Sequence, residues 1–206
     1  MNLKVREITL CSMCFPEERE SLKAVPLGGL YITSYLGENG INVDFRDYQL
    51  AEVEDIFDLD EMTEFCYAGS KDVIAFSCWE NLLPYVVLIA ERIKRRDKNK
   101  IIVLGGQGPT GVAKELLEAF PFIDFIVMGE GEITAFELFD ALLEGRDPTD
   151  ILGIAYRKGD EIIINPPRPF IKDLDTVPFP AYYKIDLDKY QRIHVITSRG
   201  CPYRCS

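Results

Sequence analysis

No apolar run in the 206-residue chain is long enough to cross a bilayer, since stretches such as 86–90 and 101–104 are a fraction of the roughly 20 residues that a spanning helix needs. The start, Met1-Asn2-Leu3-Lys4-Val5-Arg6, lacks the apolar stretch of a secretory signal, so the chain reads as cytoplasmic with no membrane contact. No basic stripe with interleaved aromatics relieves the net charge of −11, which predicts no direct binding of nucleic acid. Without secretory features, the six cysteines do not read as a disulfide framework. Neither an internal repeat nor a low-complexity tract is present. Histidine is nearly missing: His194 stands alone and reads as a satisfied structural residue rather than a ligand.

What is present is a hydrophobic content of 47%, ample for a buried core. Up to about residue 145, short β-rich runs alternate with longer amphipathic ones, the pattern of a parallel sheet covered by helices. Strands are predicted at 3–10, 42–47, 72–78, 100–105 and 124–128, and their apolarity suits a sheet buried on both faces. Helices are predicted at 27–39, 81–97, 111–120 and 132–144 from apolar spacing such as Leu82, Val86, Ile89, Ala90 and Ile93, with a short one inside the acidic stretch Asp55 to Ser70. The fold class is therefore α/β, a flavodoxin-like (Rossmann-like) doubly wound five-stranded parallel sheet, whose ligand would sit beyond the carboxyl ends of the strands.

Past Arg146 the texture changes. Residues 153–157 and 161–165 flank Lys158-Gly159-Asp160 as a β-hairpin, and Pro166, Pro167, Pro169, Pro178 and Pro180 follow in a linker laid over a surface. A further apolar strand is predicted from Ile193 to Thr197, running into Ser198-Arg199-Gly200-Cys201-Pro202-Tyr203-Arg204-Cys205-Ser206. The expected divisions are 1–146, 147–190 and 191–206.

Three loops after strands carry the candidate chemistry. Ser77-Cys78-Trp79 ends the third strand and Gly105-Gly106 the fourth; the glycines let a ligand approach backbone, and the Ser77 hydroxyl can hydrogen-bond a buried base. Each has a plainer reading, a turn into a helix for the glycines and a local cap for Ser77. Gly129-Glu130-Gly131-Glu132 opens the last helix, where acidic residues suit the helix N-terminus on their own account. Cys66 and Cys78, in apolar surroundings, read as small core residues. Cys11 and Cys14, placed after the first strand, invite a redox or metal reading, but no second Cys or His pair accompanies them. Cys201 and Cys205, four apart behind a strand, could give two thiolates to one iron–sulfur cluster.

Taken in order, these segments resemble the cobalamin (B12)-dependent radical S-adenosylmethionine (SAM) enzymes. Arg199-Gly200-Cys201-Pro202 and Cys205 are similar to the family's Cys-x-x-x-Cys-x-x-Cys signature, whose third position falls two residues past Ser206. The resemblance implies that Cys201 and Cys205 ligate a [4Fe-4S] cluster that SAM completes, within a barrel that is the partner of this domain. By that reading the 206 residues bind but do not catalyse, while the whole protein is a radical SAM enzyme, a methyltransferase or a related radical enzyme. Its substrate, a small molecule or a peptide, is not named by this sequence.

Ser77-Cys78-Trp79 and Gly105-Gly106 resemble the Ser-x-Leu and Gly-Gly of the B12-binding fold, with Trp79 in place of Leu, and Thr110 matches its Gly-Gly-x-x-x-Thr pattern. The Gly-Glu-Gly-Glu of 129–132 recurs in the family, which implies that Gly129, Glu130, Gly131 and Glu132 lie against the corrin or its tail. Pro26-Leu27-Gly28-Gly29-Leu30 is similar to the family's entry to the first helix, which adds Leu27 and Gly28 to the cofactor contacts. Gly153-Ile154-Ala155-Tyr156, Asn165 to Pro169, Asp173-Leu174-Asp175 and Pro178 to Tyr182 resemble the bridge between the two domains. Where methionine-synthase-type carriers have Asp-x-His-x-x-Gly, this chain has Asp47-Tyr48-Gln49, so Gln49 stands in place of the cobalt-ligating His and implies cobalamin without a protein imidazole. Two rivals remain open: a B12-like fold that has lost its ligand and docks a substrate or partner, and a flavin or nucleotide binder, for which the phosphate-cradling glycine pattern is missing.

Overall fold

The computed structural model describes residues 5–13 and 23–200. One mixed sheet of seven strands runs in the order β2-β1-β3-β4-β5-β6-β7. Strands β1 (Glu7–Met13), β2 (Asn42–Asp47), β3 (Val73–Cys78), β4 (Ile101–Gly105) and β5 (Phe125–Val127) are mutually parallel. Two antiparallel strands extend them, β6 (Ile154–Lys158) against β5 and β7 (Glu161–Ile164) against β6. The five expected parallel strands are therefore present, and the five-stranded limit is corrected to seven: the hairpin, read as a separate appendage, continues the sheet because the outer edge of β5 offers it unpaired backbone groups. Its turn is two residues long, with Gly159 at φ +62° between the paired Lys158 and Glu161.

The alternation of side chains along each strand sends one set to each face. Cys11, Met13, Ile74, Phe76, Cys78, Ile102, Leu104 and Ile126 face the helices α2 (Leu59–Tyr67), α3 (Leu83–Arg96) and α5 (Ala113–Ala119). Ile8, Leu10, Val73, Ala75, Val103 and Val127 face α1 (Leu27–Glu38) and α6 (Gly131–Glu144). A four-residue helix α4 (Gln107–Thr110), which the sequence did not predict, follows β4. Helix α3 illustrates the local logic. Pro84 sits in its first turn, Val86, Ile89, Ala90 and Ile93 make one buried stripe, and Lys94, Arg95 and Arg96 face its negative C-terminal end. Val86, Ile89 and Ile93 each contribute about 1.5–3 kcal/mol by burial. Helix α6 stops at Gly145, whose left-handed φ of +67° directs the Arg146 N–H back to the Ala141 carbonyl at 2.8 Å.

The proline-rich stretch folds back onto the sheet's carboxyl end. Gly153 N–H bonds the Pro166 carbonyl, Ala181 N–H bonds the Leu30 carbonyl, and Val25, Leu30, Ala181 and Tyr190 close a small cluster of their own. At the far end Gln191 and Arg192 donate their N–H groups to the Lys23 carbonyl.

Three local expectations are corrected. The strand predicted from Ile193 to Thr197 does not form; these residues are exposed and irregular, since no neighbouring strand within the described residues offers them a ladder. His194, expected as a satisfied structural residue, is exposed, and its carbonyl accepts from Tyr182 Oη at 2.7 Å. Cys11 does not follow β1 but lies within it, fully buried, because pairing with β2 and β3 carries the strand to Met13. Cys14 lies outside the described residues.

Cys66 and Cys78 are buried core residues as expected. Burial pushes the Cys78 thiol up to about 12 and the Cys66 thiol well above its ordinary 9.0, the latter helped by the hydrogen bond and charge of Cys11. Neither thiolate is accessible near neutral pH. In alkylation of the native chain followed by mass spectrometry, Cys66 and Cys78 should label at least about a hundredfold more slowly than after denaturation; equal rates would refute their burial.

Candidate functional site

A hollow opens where the sheet meets α1 and α6, and strand register explains it. Ser12 pairs with Ser77, and Ser77 with Gly105, so the last row of side chains on this face consists of two serines and a glycine across three strands. One row below stand Leu10, Ala75, Val103 and Phe125. The side chains shrink toward the carboxyl end while the helices do not close in. What remains is a cavity of about 330 Å³ lined by Leu10, Gly28, Tyr31, Ile32, Ala75, Ser77, Val103, Gly105, Gly106, Val127, Gly129 to Glu132, Ala135, Phe139, Ile196 and Arg199, among others. Outside it lies a broader depression of about 1030 Å³, sharing Gly106, Gln107, Gly129, Glu130 and Arg199 and walled by Thr110, residues 170–175 and residues 197–200.

Of the residues singled out from sequence, the cavity brings together Gly28, Ser77, Gly105, Gly106, Gly129, Glu130, Gly131 and Glu132. The Ser77 side chain makes no hydrogen bond among the described residues and stays available. A Cβ on Gly105 would meet nothing nearer than the Val127 carbonyl at 3.7 Å, so the position has room that its hydrogen leaves to the hollow. Gly106 is different in kind. At φ +97° and ψ −172° it occupies a region that only glycine enters readily, and a Cβ there would stand 2.6 Å from the Cys78 carbonyl oxygen. Gly106→Ala should therefore cost at least about 3 kcal/mol, read by urea unfolding, and a loss below about 1 kcal/mol would contradict this packing.

The other residues fall elsewhere. Leu27 packs with Val25, Leu30 and Tyr190 beside the cavity. Trp79 is 55% exposed and contributes its backbone, against which Gly108 packs. Thr110 borders the outer depression, its hydroxyl donating to the Gly106 carbonyl at 2.7 Å. Gln49 is buried away from the cavity, and its amide is engaged at both ends: Nε2 donates to the Ala24 carbonyl and to Asp47, and Oε1 accepts from Ala24 N–H. Cys201 and Cys205 lie outside the described residues.

Asp47 anchors that second cluster. Its carboxylate accepts from Tyr190 Oη at 2.6 Å and from Gln49 N–H at 3.1 Å. Burial pushes the Asp47 carboxyl above its ordinary 3.8, outweighing the hydrogen bonds from Tyr190 and Gln49 that pull it down. Because the folded value lies above the unfolded one, this group's stabilisation is complete below about pH 3.8 and is lost as pH rises through the folded value. The advantage of the natural chain over Asp47→Asn in urea midpoint should accordingly shrink as pH rises from about 4 to about 7; a constant difference would refute it.

Arg199, which the sequence marks only as part of the cysteine motif, is a keystone of the site. Its Nη2 donates to Glu132 at 2.5 Å, its Nη1 lies 3.5 Å from Glu130, and its guanidinium carbon sits 5.1 Å above the centre of the Tyr31 ring. Burial works against its charge, but the hydrogen bond and charge of Glu132, joined by Glu130, outweigh that and raise its pKa above the ordinary value. Glu130 also accepts from Ile171 N–H at 2.6 Å. No sequence rule pairs residues 67 positions apart, so nothing in the sequence pointed to this ion pair. Tyr31 was legible in principle, one turn beyond Gly28 on the same helix face.

A mixed, largely parallel α/β sheet with helices on both faces and a hollow at the carboxyl ends of its parallel strands defines a Rossmann-like domain. A family described as the B12 binding domain matches residues 21–139. The chain belongs to that family. It is 34% identical to the anaerobic magnesium-protoporphyrin IX monomethyl ester cyclase of Synechocystis sp., over 88% of this chain and 37% of the relative. It is 30% identical to an uncharacterized methyltransferase of Pyrococcus horikoshii, over 98% of this chain and 45% of the relative. The chain thus spans less than half the length of these curated relatives. Among solved structures, the cobalamin-dependent radical SAM enzyme OxsB with aqua-cobalamin and SAM bound shares the fold, with a TM-score of 0.72 at 21% identity over 86% of this chain and 24% of that one. The radical SAM methyltransferase TsrM of Kitasatospora setae, with cobalamin and a [4Fe-4S] cluster bound, shares it at a TM-score of 0.64 and 20% identity, over 79% of this chain and 31% of that one.

Proposed function

We propose that this chain holds cobalamin through its nucleotide tail and presents the corrin to a radical SAM domain of the same protein. The observation that carries the reading is the cavity floored by Ser77 and Gly105, which suits a flat, largely apolar base. Leu10, Val103, Val127 and Phe139 exclude water from it. The Ser77 hydroxyl supplies one hydrogen bond to a ring nitrogen, and Gly105 keeps the floor clear. Gly129, Glu130, Gly131 and Glu132 form the rim.

No protein imidazole stands ready for cobalt. Gln49 is committed to Ala24 and Asp47, and His194 lies outside both the cavity and the depression. In the intact protein, Cys201 and Cys205 would supply two ligands to a [4Fe-4S] cluster that SAM completes. Cobalamin and the cluster would together provide methyl transfer or a related radical reaction. The substrate, a small molecule or a peptide, would be met by the radical SAM domain. No helix in the described residues is long and apolar enough to cross a membrane, and the net charge of −11 disfavours nucleic acid, in keeping with a cytoplasmic enzyme.

Titration of the chain with hydroxocobalamin, followed by visible absorbance and gel filtration, should give saturable binding of one corrinoid per chain. Gly105→Leu and Ser77→Leu, which fill the cavity floor, should each weaken binding by at least about tenfold while the apo protein melts within a few degrees of the natural chain. Unaltered affinity in both variants would overturn the reading.

A further inference from the structure

We propose that Arg199 determines retention and specificity at this site: its side chain stands at the junction of the inner cavity and the outer depression and closes a bound tail in. The inference rests on the reading that cobalamin is the ligand.

The inner cavity is walled on three sides by the sheet, α1 and α6, and Ile196 and Arg199 complete its lining from a chain segment that joins none of them covalently nearby. Arg199 also lines the depression, so a group passing from one space to the other passes its guanidinium. That guanidinium is held to three separate walls. Tyr31 on α1 lies beneath it, Glu132 in the first turn of α6 takes its hydrogen bond, and Glu130 in the loop after β5 faces its other nitrogen. Glu130 in turn holds Ile171 on the opposite side of the depression. The side chains of Arg199, Glu130 and Glu132 are only 20%, 16% and 5% exposed, so the cluster is largely withdrawn from water, where charge pairs are least screened.

Two consequences follow for a ligand with an anionic phosphodiester in its tail. With Arg199 in place, the two carboxylates at the rim are partly neutralised, and the phosphate meets a cation. Without it, Glu130 and Glu132 repel the phosphate and the roof of the cavity is open. A corrinoid that lacks the nucleotide tail reaches neither the cavity nor the phosphate position and should be indifferent to residue 199. The same contacts bind the segment leading to Cys201, so that filling the cavity and fixing that segment become one event.

The test compares cobalamin with cobinamide, which has the corrin ring and no nucleotide, on the 206-residue chain by stopped-flow and chase dissociation. Arg199→Ala should speed cobalamin dissociation by at least about tenfold, Arg199→Lys should recover part of that, and cobinamide dissociation should stay within about twofold, since truncating a buried charge pair acts mainly on the off-rate. In the natural chain, hydrogen exchange at the amides of Ile171 and Ser198 to Gly200 should slow on adding cobalamin and not on adding cobinamide, a readout that needs no variant to fold. Equal cobalamin off-rates in the natural chain and Arg199→Ala, or an equal rise for both corrinoids, would overturn the role of Arg199 and leave the cobalamin reading standing. Failure of the natural chain to bind either corrinoid would overturn that reading and this inference with it.

Discussion

Parallel pairing in one register is the constraint on which the site depends. Ser12, Ser77 and Gly105 come from segments tens of residues apart, and only the ladder β1–β3–β4 sets them side by side. A shift of one residue in any of the three strands would turn Met13, Cys78 or Leu104 toward α1 and α6 and fill the hollow. That register is in turn secured from the other face, where Ile74, Phe76, Ile102 and Leu104 pack under α2, α3 and α5. The cavity is thus maintained by the core on the side of the sheet it does not occupy. Gly106 adds a local lock, letting the loop after β4 press against the Cys78 backbone.

Charge is arranged around this apolar hollow in a way that separates two jobs. On one side Asp47 and Gln49 spend their hydrogen bonds internally, on Tyr190 and Ala24, and tie the returning chain to the start of α1. On the other side Glu130, Glu132 and Arg199 stand on the rim of the cavity itself. The first cluster is isolated from the hollow and fixes architecture. The second borders it, and anything entering must contend with its charges. A carboxylate pair this close to a guanidinium and an aromatic face is expensive to break in place, because removing one member leaves another buried without compensation.

Much of the scaffold was legible in the sequence because period and composition agree locally. The alternation of Val, Ile and Leu runs with stripes such as Val86, Ile89 and Ile93 located the five parallel strands and the main helices. The small residues at the ends of β3 and β4 pointed to the right loops, and Gly129 to Glu132 to the right helix start. What failed was whatever depends on partners far away in sequence. Ile193 to Thr197 has the composition of a strand and forms none, since β-structure requires a neighbour. The hairpin's attachment to β5 was invisible because hairpin patterning says nothing about which sheet edge accepts it. Trp79 and Gln49 were placed at the site by position in a motif, yet Trp79 turns outward and Gln49 is consumed by backbone contacts.

The bonds from Gln191 and Arg192 to Lys23, and the contact of Tyr190 with Val25 and Leu30, tie residues 190–192 to the entry of α1. On a ribosome, which extends a chain at roughly 5–20 residues per second, the apolar entry to α1 must wait on the order of ten seconds or more before Tyr190 emerges to cover it. During that interval the sheet can assemble from β1 to β5 while Val25 and Leu30 remain uncovered. Completion of this domain is therefore timed by the appearance of the same segment that carries Arg199 toward the cysteines.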